Sequence, residues 1–121
     1  MNYALIWPGL VLLMAINGYR ADSGLQPLSY SYDTCQLAVE RLEDLPTEWS
    51  HKGFFRRIGN ENFDGGYWAE NLGREHLSAE QVLLEWKLSA LHNWNLLAPE
   101  MNEACIATDG EYWVLEMHKR T

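Results

Sequence analysis

From Leu10 onward, apolar residues recur at helical spacing. Leu10, Leu13, Met14 and Asn17 fall at i, i+3, i+4 and i+7, which is the stripe of a helix with one face turned inward. This predicts a first helix from about Leu10 to Ser23, with Gly24 in the left-handed position that ends it and Pro27 blocking continuation. Asn17 then lies on the inner face, where a buried amide needs partners, so it is expected to pin a neighbouring loop. Arg20 lies one turn further on. A second helix is expected from Asp33, which forms a capping-box pattern with Gln36 and leads into a stripe of Cys35, Ala38, Val39, Leu42 and Leu45 before Pro46. A third opens on the capping-box pair Ser78 and Gln81 and turns Val82, Leu83 and Trp86 inward, with Ser89 able to end it or cap the next turn.

Between Glu103 and Met117 the period changes. Asp109-Gly110, a strong hairpin signal, divides the stretch into two β-rich runs. The second, Tyr112-Trp113-Val114-Leu115-Glu116-Met117, is apolar on both alternating faces apart from Glu116, so helices are expected to cover the sheet on both sides. Tyr67-Trp68-Ala69 is a candidate for another strand. The expected architecture is α+β, a three-layer α/β/α sandwich around a mainly antiparallel sheet and built from three helical segments. No repeat, charge run or Gly/Ser linker divides the chain, which gives one domain over residues 1–121 with its core at about 10–117.

Composition narrows the function. At 121 residues, with 47% hydrophobic and 21% charged residues, the chain is ordinary globular material with room for one core. A net charge of -8 would repel phosphate backbones, which excludes nucleic acid as a partner; Arg56-Arg57 and Lys119-Arg120 are expected as solvated surface pairs. Residues 4–16 have the length of a signal-peptide core, but no Lys or Arg precedes them and Pro8-Gly9 interrupts them, so no cleavable signal is expected. They also fall short of the about 20 apolar residues that a transmembrane span takes. Cys35 and Cys105 fit neither a disulfide scaffold nor a four-ligand zinc knuckle. Two buried free thiols are the first expectation; the alternative is one bridge, closing a loop of about seventy residues.

Five short stretches, in order, resemble the bacterial branch of the CAP superfamily, the cysteine-rich secretory protein, antigen 5 and pathogenesis-related protein 1 (SCP-like) fold. They are Asn17-Gly-Tyr-Arg20 with Gly24-Leu25 and Pro27-Leu28; Trp49-Ser50-His51; Ala69-Glu70-Asn71-Leu72; Trp86-Lys-Leu-Ser89; and His92-Asn-Trp-Asn95-Leu-Leu97. Ala69 stands where the family signature has Gly. The resemblance covers about Leu10 to Met117. It implies a cavity built around His51, Glu70 and His92, with Asn71 and Ser89 beside them and Asn17, Arg20, Trp86 and Asn95 in structural roles. Eukaryotic members carry two histidines and two glutamates there; Ser89 takes the place of the second glutamate, and Glu85, next to Trp86, points elsewhere on its helix.

Two neutral imidazoles and a carboxylate make a candidate zinc set, so His51, Glu70 and His92 are the expected metal ligands if the cavity holds zinc. The bland alternative is a buried hydrogen-bond network that joins loops to the sheet. No catalytic residue is assigned, because neither an oxyanion-stabilising group nor a substrate groove can be read from the chain. His76 and His118 are expected at the surface, and Trp49, Tyr67, Trp68, Trp86 and Trp94 in the core and cavity wall. The resemblance implies a monomeric, extracellular, non-catalytic binding module for a protein, glycan or lipid. The alternatives are a metal-dependent hydrolase or peptidase and a small lipid or sterol carrier.

Overall fold

A computed structural model describes residues 2–60, 63, 65–75 and 77–120. Among these, five α-helices and three strands are arranged as α1 (Leu10–Asp22), α2 (Tyr32–Asp44), α3 (Lys52–Asn60), β1 (Tyr67–Gly73), α4 (Ala79–Leu88), α5 (Ala90–Leu96), β2 (Glu103–Thr108) and β3 (Trp113–Lys119). Two single-turn 3-10 helices, Tyr3–Leu5 and Trp7–Gly9, lead into α1. The strands form one antiparallel sheet in the order β1-β3-β2, so β1 has one edge open.

Alternation along the strands sorts the core into two sides. Trp113, Leu115 and Met117 of β3 and Ala104 and Ile106 of β2 join Leu12, Leu13 and Ile16 of α1, Val82 and Trp86 of α4 and Leu96 of α5. On the opposite face Val114, Ala107 and Leu72 meet Ala38 and Leu42 of α2 with Leu45 beyond its end. Helices on both faces of a central sheet give the α+β, three-layer arrangement expected from the run Tyr112 to Met117.

The helical count is five, not three. α3 escapes a propensity reading because Gly53 and Gly59 interrupt it, and glycine weakens a helix interior by about 1 kcal/mol. Gly53 has a specific reason to be there: a Cβ would collide with the Arg41 guanidinium and the Asp44 carboxylate. α1 keeps its predicted extent, and Gly24 follows it at φ +76°. Its inner face differs, however. Leu12, Leu13, Ile16 and Arg20 are buried, while Met14 is 68% exposed. α2 begins one residue earlier than expected and is capped by Ser31, whose hydroxyl accepts from the Thr34 amide, not by Asp33. α4 has the predicted reciprocal Ser78–Gln81 capping box.

Cys35 and Cys105 are joined in a disulfide, which overturns the expectation of free thiols. The first turn of α2 lies against β2, and the two Cα atoms stand 4.9 Å apart, within bridging range. The helical stretch Tyr3–Asp22 is 20 residues long, and it is apolar enough to cross a bilayer by length and composition only, as the core helix of a soluble protein can also be. In this fold its inner residues belong to the core.

Candidate functional site

Arg41 organises the cluster. It is fully buried on the inner side of α2, one turn after Leu37. Its Nε donates to Glu70 Oε2 at 2.8 Å and its Nη2 to Glu70 Oε1 at 3.1 Å. Nη1 donates to Asp44 Oδ2 at 2.8 Å, and Nη2 also reaches the Ser50 carbonyl at 2.6 Å. One guanidinium thereby ties α2, β1 and the loop before α3 together, and its charge is matched, as a buried cation requires. Burial pulls against its charge, but the hydrogen bonds it donates to Glu70 and Asp44, with their negative charge, outweigh that and raise its pKa.

The histidine of the Trp49-Ser50-His51 stretch sits immediately before α3, close to the carbonyl that Arg41 holds. His51 Nδ1 is 2.8 Å from Glu70 Oε1. A carboxylate can only accept there, so Nδ1 carries the proton, and the side chain is half-exposed. Both oxygens of Glu70 are thus committed, to Arg41 and His51. Burial works to raise the Glu70 carboxyl, but the neighbouring Glu116, His51 and Arg41 together hold it below the usual glutamate value.

Glu116 is the residue of β3 directly opposite Glu70. It is fully buried, its oxygens meet no nitrogen or hydroxyl donor among the described residues, and the group it faces is the Glu70 carboxylate, to which its protonated form can donate. Burial, followed by the charge of Glu70, pushes its carboxyl well above the ordinary value, so it is neutral at pH 7. Asp44 completes the cluster. The hydrogen bond from Arg57 prevails over burial and, with Arg41, lowers its pKa to about 2. Arg57 Nε and Nη2 each stand 2.9 Å from the Asp44 carboxylate, so half of the Arg56-Arg57 pair is a bracing residue and not a solvated one.

On β1, Asn71 faces the other side of the sheet from Glu70. It is buried; its Nδ2 donates to the His92 carbonyl at 3.1 Å, and its Oδ1 accepts from Asn95 Nδ2 at 2.9 Å. α5 is thereby docked on the strand. His92 is half-buried, with Nδ1 2.9 Å from Ser89 Oγ. Burial, and then the charge of His51, lowers its pKa, which keeps it neutral at pH 7. The two histidines are therefore electrostatic neighbours at the open edge of β1, although they approach it from opposite faces of the sheet.

The residues expected in structural roles are tightly bound. Asn17 exchanges two hydrogen bonds with Leu28, at 3.0 and 2.8 Å. Arg20, fully buried, donates to the carbonyls of Gln26, Leu96, Ala98 and Met101 at 2.9 to 3.2 Å. Trp86 Nε1 donates to the Leu72 carbonyl at 2.9 Å. Of the aromatic set, Trp86 is in the core, whereas Trp94 and Tyr67 are 77% and 63% exposed and Trp49 is 38% exposed. His118 is not at the surface. It is fully buried, stacked on Trp68 at 4.1 Å, with Nδ1 3.1 Å from Glu103 Oε1 and Nε2 2.6 Å from the Gly65 carbonyl. His76 lies outside the described residues.

For a metal, the three-residue set does not fit. Both Glu70 oxygens already accept from Arg41 or His51 inside the fold, and among the described residues no three His, Cys, Asp or Glu side chains are grouped so as to hold an ion. Among the described residues, the ring contacts of His51 and His92 are made through Nδ1, which leaves Nε2 of each as the candidate ligand atom. Arg41, Asp44 and Glu116 were not singled out from the sequence. The available signal was helical spacing: Leu37 and Arg41 share a face at i, i+4, which places an arginine on a buried stripe.

Comparison with known proteins gives these residues a family. A cysteine-rich secretory protein from Staphylococcus aureus superimposes with a TM-score of 0.85 at 19% identity, over 93% of this chain and 39% of that one. An extracellular protein containing an SCP domain from Bacillus anthracis gives 0.82 at 17%, over 90% and 39%. An outer surface protein from Borrelia burgdorferi gives 0.79 at 19%, over 94% and 93%. The chain thus spans about two-fifths of the first two relatives and nearly all of the third. No curated protein matches the sequence. The profile of the CAP, or cysteine-rich secretory protein, family matches residues 13–112, most of the chain, and the chain belongs to that family.

Proposed function

We propose that this CAP domain is a non-catalytic binding module working outside the cell, with the edge of β1 between His51 and His92 as its polar contact site. The observation that carries this reading is the burial of Glu70 with both of its oxygens engaged. A general base or a water-activating carboxylate must reach the reactant, and Glu70 is buried in the fold, with Oε1 accepting from Arg41 and His51 and Oε2 from Arg41. Ser89 supplies no second carboxylate, and its hydroxyl is engaged with His92. The Cys35–Cys105 bridge suits an oxidising compartment, and two relatives are described as an extracellular and an outer surface protein.

A narrower reading, zinc occupancy without catalysis, is favoured by one detail. Each of the two imidazoles has Nδ1 tied, His51 to the Glu70 carboxylate and His92 to the Ser89 hydroxyl, and where Nδ1 carries the proton Nε2 is the atom that can ligate a metal. Glu70 then acts behind His51 and not on the ion. A bound zinc would supply a Lewis acid; with only two protein ligands, weak affinity is expected.

Calorimetric titration of Zn²⁺ into wild type and His92→Ala, with peptide and ester hydrolysis followed on the same samples, tests both readings. Weak binding is expected in wild type, lost in His92→Ala and weakening as pH falls through the imidazole range, since protonated histidine cannot ligate. No turnover is expected in either protein. Equal heats would remove the zinc site, and hydrolysis that requires both histidines would overturn the non-catalytic reading.

A further inference from the structure

Residues 2–19 carry no charged side chain, and the helical stretch they form is apolar on two sides. One side is core: Leu12, Leu13 and Ile16 are buried. The outer side is apolar as well: Val11 and Met14 of α1, and Tyr3 and Trp7 of the two 3-10 turns that lead into it, are 63% to 68% exposed. A helix that is apolar all round is normally covered all round. Beside the stripe lies a cavity of about 540 Å³. Tyr3, Trp7, Tyr30 and Tyr32 stand around it, Ile6 and Cys35 are among its buried lining, and among the described residues no charged side chain lines it.

The chemistry of this face selects its occupant. Tyrosine and tryptophan pair a large apolar ring with one polar atom, the combination enriched where hydrocarbon meets water. Helices that bind anionic membranes carry Lys and Arg around the apolar stripe. Residues 2–19 contain neither, and a net charge of -8 repels an anionic surface. The same charge opposes seating two copies of the chain face to face. We propose that Tyr3, Trp7, Val11 and Met14, with the aromatic cavity beside them, form a face that rests on the interface of an uncharged, zwitterionic lipid bilayer without crossing it. This surface is separate from the histidine edge and does not depend on the function proposed for it.

Co-sedimentation with phosphatidylcholine vesicles, and with vesicles in which part of that lipid is replaced by phosphatidylglycerol, tests the assignment on the full chain. Wild type is expected to pellet with the neutral vesicles and less with the anionic ones. Val11→Glu/Met14→Glu should reduce the bound fraction about fivefold or more, since it sets two charges in the apolar stripe. Both sites are exposed, so the melting temperature should hold; should that variant unfold, Tyr3→Ser/Trp7→Ser is expected to give the same loss. Wild type remaining in the supernatant, or binding only the anionic vesicles, would overturn the proposal. So would equal pelleting of a folded variant, or a dimer in sedimentation velocity that the substitutions abolish, which would make a second copy the occupant.

Discussion

Glu116 faces Glu70 across two adjacent strands, and a single buried guanidinium serves the pair. Arg41 is hydrogen-bonded to Glu70 and Asp44, so a second buried carboxylate would lack a matched cation; Glu116 keeps its proton instead. The sign of the linkage follows. In the unfolded chain Glu116 ionises near its ordinary value of 4.5, whereas the folded state holds the proton, so stability is lost as pH rises above about 4.5. Glu116→Gln, which keeps the shape and cannot ionise, is expected to be more stable than wild type at pH 7 by a few degrees in melting temperature. The gap should close below about pH 4.5; thermal unfolding at the two pH values checks it. The residue scale is also where the sequence was least legible. His51, Glu70 and His92 stand out because motifs mark them, but Glu116 reads as a lapse in an apolar strand. Its role comes from the register that sets it opposite Glu70, and register is a property of two segments distant in the chain.

At the scale of elements, the parts with strong local signals were predictable and those held by tertiary contact were not. The Ser78–Gln81 box, the stop at Gly24 and the Asp109-Gly110 turn are written within a few residues of one another, and each appears in the structure. α3 is different, being a glycine-containing helix whose place is set by the approach of Gly53 to Arg41 and Asp44. The outer face of α1 was misread because both sides of that helix are apolar, so periodicity alone could not tell Met14 from Ile16. The disulfide belongs here too, because it clamps the start of α2 to β2 across 70 residues. Cys35→Ala/Cys105→Ala is expected to lose on the order of 4 kcal/mol in urea unfolding, the chain-entropy value for such a loop. A loss below about 1 kcal/mol would show that α2 is held on the sheet by its apolar contacts alone.

For the whole molecule, two arginines knot the layers. Arg20 gathers carbonyls from the loop after α1 and from the end of α5 onward, and Arg41 joins α2, β1 and the approach to α3. The candidate site is the solvent end of the second knot: Glu70 faces Arg41 inward and turns His51 outward. The motif Ala69-Glu70-Asn71-Leu72 marked the place, but its division into a carboxylate for one face and an amide for the other is visible only once β1 is paired with β3. The central claim, that Glu70 supports the fold and orients His51 without acting as a ligand or base, is tested most directly by the urea-unfolding free energy of Glu70→Ala. Removing one partner of a buried pair leaves the Arg41 charge short of its counterion, so a loss of about 3 kcal/mol or more is expected. Unchanged or increased stability would contradict the claim, since that is the behaviour of a residue retained for chemistry at the expense of the fold.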